Sequence, residues 1–158
     1  MRLDDTLSRD VIHGSDESRV EGPPRRVLVL FEPCRSGRAA LREAAEVANA
    51  GSELTVATLA PQARVRRCCR AGGDGLYNIA VRQQAEAELD DARRSLGAVA
   101  GKATFTVLAG CPQPRLLPWV REHAFDLVLV PFHRLTLGGS PVARRLRRAT
   151  TAEVRLVR

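Results

Sequence analysis

From Arg25 onward, short unbroken apolar runs alternate with stretches of helical periodicity. Val27–Leu30 and Leu127–Val130 are each four apolar residues in a row, two of them β-branched. Runs so short and without polar alternation suit strands buried on both faces. Leu54–Leu59 (LTVATL), Phe105–Leu108 and Glu153–Val157 (EVRLV) supply three more strands. Between the first two, Leu41, Ala44, Ala45 and Ala48 recur at helical spacing behind Ser36, a candidate N-cap, and Gly51 is placed to stop the helix. A long helix is predicted from about Leu76 to Val99, with Val81, Ala85, Leu89, Ala92, Leu96 and Val99 on one face.

Cys111-Pro112-Gln113-Pro114 starts a third helix through His123, and Pro118 requires that it begin at that proline or bend there. Ser140 and Pro141 read as the N-cap and first position of a fourth helix. Its core face is Val142, Leu146 and Ala149, with Arg144, Arg147 and Arg148 on the other sides. The order is β-α-β-α-β-α-β-α-β, which implies an α/β fold: a five-stranded parallel sheet with helices on both faces and right-handed crossovers.

Residues 1–24 have no sustained periodicity, end in Gly22-Pro23-Pro24, and carry three arginines against six acidic residues. They read as a disordered N-terminal arm before a domain spanning 25–158. The whole chain carries +7, so the domain is more basic than that figure. Lys102 is the only lysine. Codon composition produces such a bias as readily as selection for binding, so it is given no weight. No apolar run approaches the roughly 20 residues of a membrane span, and the opening MRLDDTLSRD lacks a secretory apolar core, so a cytoplasmic protein is expected. Cys34, Cys68, Cys69 and Cys111 share no metal-ligand spacing and are expected to be reduced thiols.

The chemistry worth weighing lies where strands give way to helices. After Val130 comes a loop with His133, Arg134 and Gly138-Gly139, and then the Ser140 helix N-terminus. Strand, glycine loop and helix N-terminus together present backbone N–H groups to an anion. His133 and Arg134 form a candidate anion clamp, although exposed loop residues are the preferred reading. Cys34, beside a helix start, is read as a small buried residue in preference to a reactive thiol. No Ser-His-Asp order, HExxH or phosphate-loop sequence occurs, and no catalytic role is expected.

Three segments resemble the universal stress protein family. RRVLVLFEPCRSGRAALREAAEVANAGSELTVATLAP is similar to its opening strand–helix–strand. TVLAGCPQPRLLPWVREHAFDLVLVP is similar to its third strand, G-x-P turn, helix and fourth strand. SPVARRLRRATTAEVRLV resembles its closing helix and strand. The resemblance implies strand order 3-2-1-4-5, as in the adenine nucleotide alpha hydrolase-like fold, with a ligand crevice between the first and fourth strands. It also implies a homodimer paired through the last strand.

The crevice residues depart from that family. Its ATP-binding members resemble V-D-G-S after the first strand, where this chain has Phe31-Glu32-Pro33-Cys34. Glu32 keeps a carboxylate, but Pro33 replaces a glycine and removes an N–H. The family's G-x2-G-x9-G-[ST] meets Pro131 and Arg134 at its first two glycines, and Gly139-Ser140 stands in for the last pair at shortened spacing. Glu32, His133, Arg134, Gly139 and Ser140 are thus the candidate crevice residues, with no cofactor expected and ATP the alternative. The first reading is a regulatory or stress-response binding module that has lost the usual nucleotide site. The second is a nucleotide-binding member with an altered phosphate loop. The third, a basic nucleic-acid-associated protein, is disfavoured because only 4% of residues are aromatic and the arginine-rich tail offers no ring on which to stack a base.

Overall fold

The computed structural model describes residues 25–63, 73–110, 115–132 and 140–158. The expected arm, 1–24, lies outside them. Among the described residues ten elements follow one another: β1 (Arg26–Leu30), α1 (Arg35–Asn49), β2 (Glu53–Pro61), α2 (Gly73–Leu96), a 3₁₀ helix (Gly97–Lys102), β3 (Ala103–Gly110), α3 (Leu116–Glu122), β4 (Leu127–Pro131), α4 (Pro141–Ala149) and β5 (Glu153–Val157). All five strands are parallel, in the order β3-β2-β1-β4-β5.

The central strands explain why their sequences do not alternate. Val27, Leu28, Val29, Val128 and Leu129 are fully buried. Val27, Val29, Leu127 and Leu129 face α1 and α2, packing with Ala40, Leu41, Ala44, Leu89, Ala92 and Leu96. Leu28, Leu30, Val128 and Val130 face α3 and α4, packing with Leu116, Val120, Ala143 and Leu146. Each residue of the two runs therefore finds an apolar partner on one face or the other. The small-residue stripe of α1 lets that helix lie close to the sheet. Thr58, fully buried in β2, donates its hydroxyl proton to the Ala85 carbonyl of α2 at 3.2 Å, so its burial leaves no unpaired donor.

Element ends follow local chemistry, with several departures from expectation. Gly51 does stop α1: at φ +104° its N–H reaches Ala48 O, and the N–H of Ser52 reaches Val47 O, which closes the helix in a Schellman turn. The N-cap of α1 is Cys34 rather than Ser36, with the Cys34 sulfur accepting the Gly37 N–H. Helix α2 starts at Gly73, earlier than expected, and ends at Leu96, leaving Val99 in the 3₁₀ turn. Helix α3 begins at Leu116, so Pro118 does not start it. Pro118 is the third residue of a first turn, where N–H groups have no intrahelical acceptor anyway. Cys111–Pro114, expected to open that helix, lie outside the described residues.

Two further features set up the edge of the sheet. Val154 packs with the α3/α4 cluster and Leu156 lies against it, while Val157 joins the α1/α2 cluster. Arg155 turns to the α1 side, where it pairs with Glu43 as well as Glu153; hydrogen bonds from Glu153 and then Glu43 hold its guanidinium more firmly protonated than usual. Helix α4 buries Ala143 and Leu146 and exposes Arg144, Arg145, Arg147 and Arg148, the solvated face expected. Arg147 also lays its guanidinium on the Val154 carbonyl of β5.

The core assignment has a direct test. Leu129 is fully buried at the centre of the sheet, and truncation there leaves a cavity that a rigid sheet cannot close. Leu129→Ala should lower unfolding free energy by about 2–5 kcal/mol in urea. A loss below about 1 kcal/mol would contradict its placement.

Candidate functional site

Strands β1 and β4 lie side by side but pair over only three positions, Val27 with Leu127 through Val29 with Leu129. Beyond them the strands follow different neighbours. Leu30 stays in register with Ala57 of β2, and the Phe31 N–H donates to the Ala57 carbonyl at 2.8 Å. Pro131 stays in register with Val157 of β5, and the Phe132 N–H donates to the Val157 carbonyl at 2.8 Å. The sheet thus divides at the carboxyl ends of its two central strands, where the strand order reverses, the place at which open α/β sheets take ligands.

The turn after β1 forms one wall of this crevice. Glu32 and Pro33 are exposed and Cys34 is half-buried. The Cys34 N–H donates back to the Glu32 carbonyl at 2.7 Å, a tight turn that Pro33 suits. The Cys34 sulfur then accepts the Gly37 N–H at 3.3 Å, and the Cys34 carbonyl accepts the Arg38 N–H at 3.0 Å. Gly37 is required by contact: a Cβ there would lie 2.0 Å from the Glu32 carbonyl oxygen. Ser36, buried at the second position of α1, donates to the Phe132 carbonyl at 3.0 Å and so ties this wall to the end of β4. Its one proton being used there, the 3.2 Å contact between Ser36 Oγ and Cys34 Sγ is donated by the thiol.

Helix α4 begins on the other face of the sheet from α1. Ser140 is buried and its hydroxyl oxygen accepts the Ala143 N–H at 3.4 Å, with Pro141 at the first helical position, as expected from the sequence. The Ser140 carbonyl accepts the Arg144 N–H at 3.1 Å. His133, Arg134 and Gly139, three of the five candidate crevice residues, lie outside the described residues. Of the other two, Glu32 sits at the β1 turn and Ser140 caps the helix on the other face of the sheet.

Sequence reasoning missed two contributors. Ser36 was read as a cap and serves instead as a cross-link, a role that depends on a partner 96 residues away. Arg158 places its guanidinium 5.0 Å from the centre of the Phe132 ring, beside the same end of β4. No local signal marks either contact. Among the described residues, no group of three or more His, Cys, Asp or Glu is placed to hold a metal ion.

The close approach of Gly37 gives a prediction. Gly37→Ala must displace either the Glu32 carbonyl or the first turn of α1, at a cost of roughly 1–3 kcal/mol in thermal or urea unfolding. Stability equal to wild type would show that the β1 turn is not built on this contact.

Comparison with known proteins follows the same lines. The universal stress protein family model matches residues 23–158. Among solved structures, the universal stress protein UspA from Lactobacillus plantarum superposes with a TM-score of 0.72 at 14% identity, over 84% of this chain and 97% of that one. A universal stress protein in complex with cAMP gives 0.62 at 22% identity, over 87% and 99%. The universal stress protein from Archaeoglobus fulgidus in complex with dAMP gives 0.59 at 16% identity, over 84% and 96%. No curated protein matches the chain. The family model covers the whole described sheet with all its helices, and this chain belongs to the universal stress protein family.

Proposed function

We propose that the chain is a regulatory or stress-response binding module of its family, cytoplasmic and without a catalytic role, in which the ATP site has been given up. The observation that carries this reading is how the donors at the crevice are used. A phosphate-binding helix terminus works through N–H groups left free by the helix. Here the Gly37 N–H goes to Cys34 Sγ and the Ala143 N–H goes to Ser140 Oγ, while the Ser36 hydroxyl donates to Phe132 O. Pro33 and Pro131 have no N–H to offer, and proline stands where ATP-binding members resemble glycine. Both helices therefore spend donors on their own chain. No described helix is long and apolar enough to cross a membrane. The exposed arginines of α4 are a solvated surface in this reading, and nucleic acid is not its ligand.

The proposed assembly is a homodimer paired through β5. That strand lies at the end of the sheet, and an edge strand with apolar residues is completed by a second copy across a two-fold axis.

A second reading has one observation in its favour. Two structural relatives are described in complex with cAMP and dAMP, ligands with a single phosphate that need fewer backbone donors than a triphosphate. An altered loop would then hold an adenine nucleotide with Glu32 at one wall and Ser140 at the other.

Titration calorimetry with ATP and with cAMP at physiological magnesium separates the two. The proposal predicts no micromolar affinity for either. Micromolar affinity that disappears in Glu32→Gln or Ser140→Ala would overturn it in favour of the second reading.

A further inference from the structure

The edge that the proposed dimer requires is not vacant. Backbone direction along β5 is fixed by its contacts with β4: the Glu153 N–H donates to Asp126 O, and Val157 O accepts the Phe132 N–H, both at 2.8 Å. In a parallel ladder alternate residues turn their backbone groups to the same neighbour. Glu153, Arg155 and Val157 therefore face β4, and Val154 and Leu156 present their N–H and C=O groups outward. The Val154 carbonyl is already taken. Arg147, in the last turn of α4, donates to it from Nε at 3.2 Å and from Nη2 at 3.0 Å.

We propose that Arg147 gates the β5 edge, so that a second copy of this chain pairs there only when the guanidinium leaves the Val154 carbonyl. A carbonyl oxygen has two lone pairs, and the guanidinium fork occupies both. An N–H from a second β5 strand has no acceptor site left at that position. β5 turns only two residues outward, so a ladder that omits Val154 retains Leu156 alone. The short connection from Ala149 to Glu153 keeps α4 beside the strand that it guards.

The inference rests on the β5 dimer proposed above, and the test separates the two. Self-association of the full chain is measured by sedimentation velocity for the wild type, Arg147→Ala, Arg147→Lys and Leu156→Pro. Hydrogen exchange at the Leu156 amide reports on the edge itself. With the acceptor released, Arg147→Ala should dimerise at least about tenfold more tightly than wild type, the equivalent of one net hydrogen bond recovered at each end of the ladder. The Leu156 amide should become protected in step. Arg147→Lys, which keeps the charge but not the fork, should fall between the two, and it carries the test if the alanine variant loses its circular dichroism. Adding Leu156→Pro to Arg147→Ala should return monomer.

An Arg147→Ala dimer no tighter than wild type, with Leu156→Pro abolishing wild-type association, would overturn the gate and leave the dimer reading intact. Wild-type dimer unaffected by Leu156→Pro would overturn the dimer reading, and the gate with it. If Arg147→Lys matched wild type and Arg147→Ala tightened only at low salt, charge repulsion would replace carbonyl occupancy as the cause, and the gate as stated would fail.

Discussion

The structure depends on the pairing of β1 with β4. Those strands are distant in sequence, buried on both faces, and joined over three positions. One end of that pairing is clamped. Asp126 accepts the N–H groups of Arg25 and Arg26 on one carboxylate oxygen, at 2.9 Å each, and its own N–H donates to Arg26 O. The other end parts, because Phe31 continues with β2 and Phe132 with β5. Tying one end and releasing the other is what makes a crevice at the switch point. Ser36 limits the release by holding Phe132 O.

Arginine has a structural use here that net charge conceals. Arg26 donates to His123 O, Arg121 to Ala149 O, and Arg147 to Val154 O. Each acceptor is a carbonyl at the end of a helix or at the sheet edge, where backbone oxygens lack a partner of their own. A guanidinium on a flexible stem reaches such an oxygen without burying its charge. The basic surface is therefore in part a set of backbone caps. Exposed pairs such as Arg82–Glu86 add little to stability beside them.

How much was legible from sequence follows from how local each signal is. The strands Val27–Leu30 and Leu127–Val130, the Gly51 stop and the Ser140-Pro141 start were readable because each is a short-range matter of burial, φ or capping. Strand order was not a property of the pattern; it came from the resemblance to the family, and the register bears it out. Cys34 was overlooked as a cap because sulfur is an uncommon acceptor, while the neighbouring Ser36 drew attention as a usual one. What displaced Ser36 was contact: Gly37 must sit on the Glu32 carbonyl, which fixes where the helix begins. Arg147 on Val154 and Arg158 on Phe132 depend on where chain elements meet and leave no trace in periodicity. At the crevice, Glu32 and Ser140 were nominated from motif positions, and the self-directed use of donors around them left no such mark in the sequence.

The central claim is that this crevice has turned its donors inward and holds no resident adenine nucleotide. Full-length protein, purified without added ligand, can be denatured and the released small molecules identified by mass spectrometry and absorbance. The account predicts adenine nucleotide far below one equivalent per chain. Release of AMP, ADP, ATP or cAMP at close to one equivalent would contradict it.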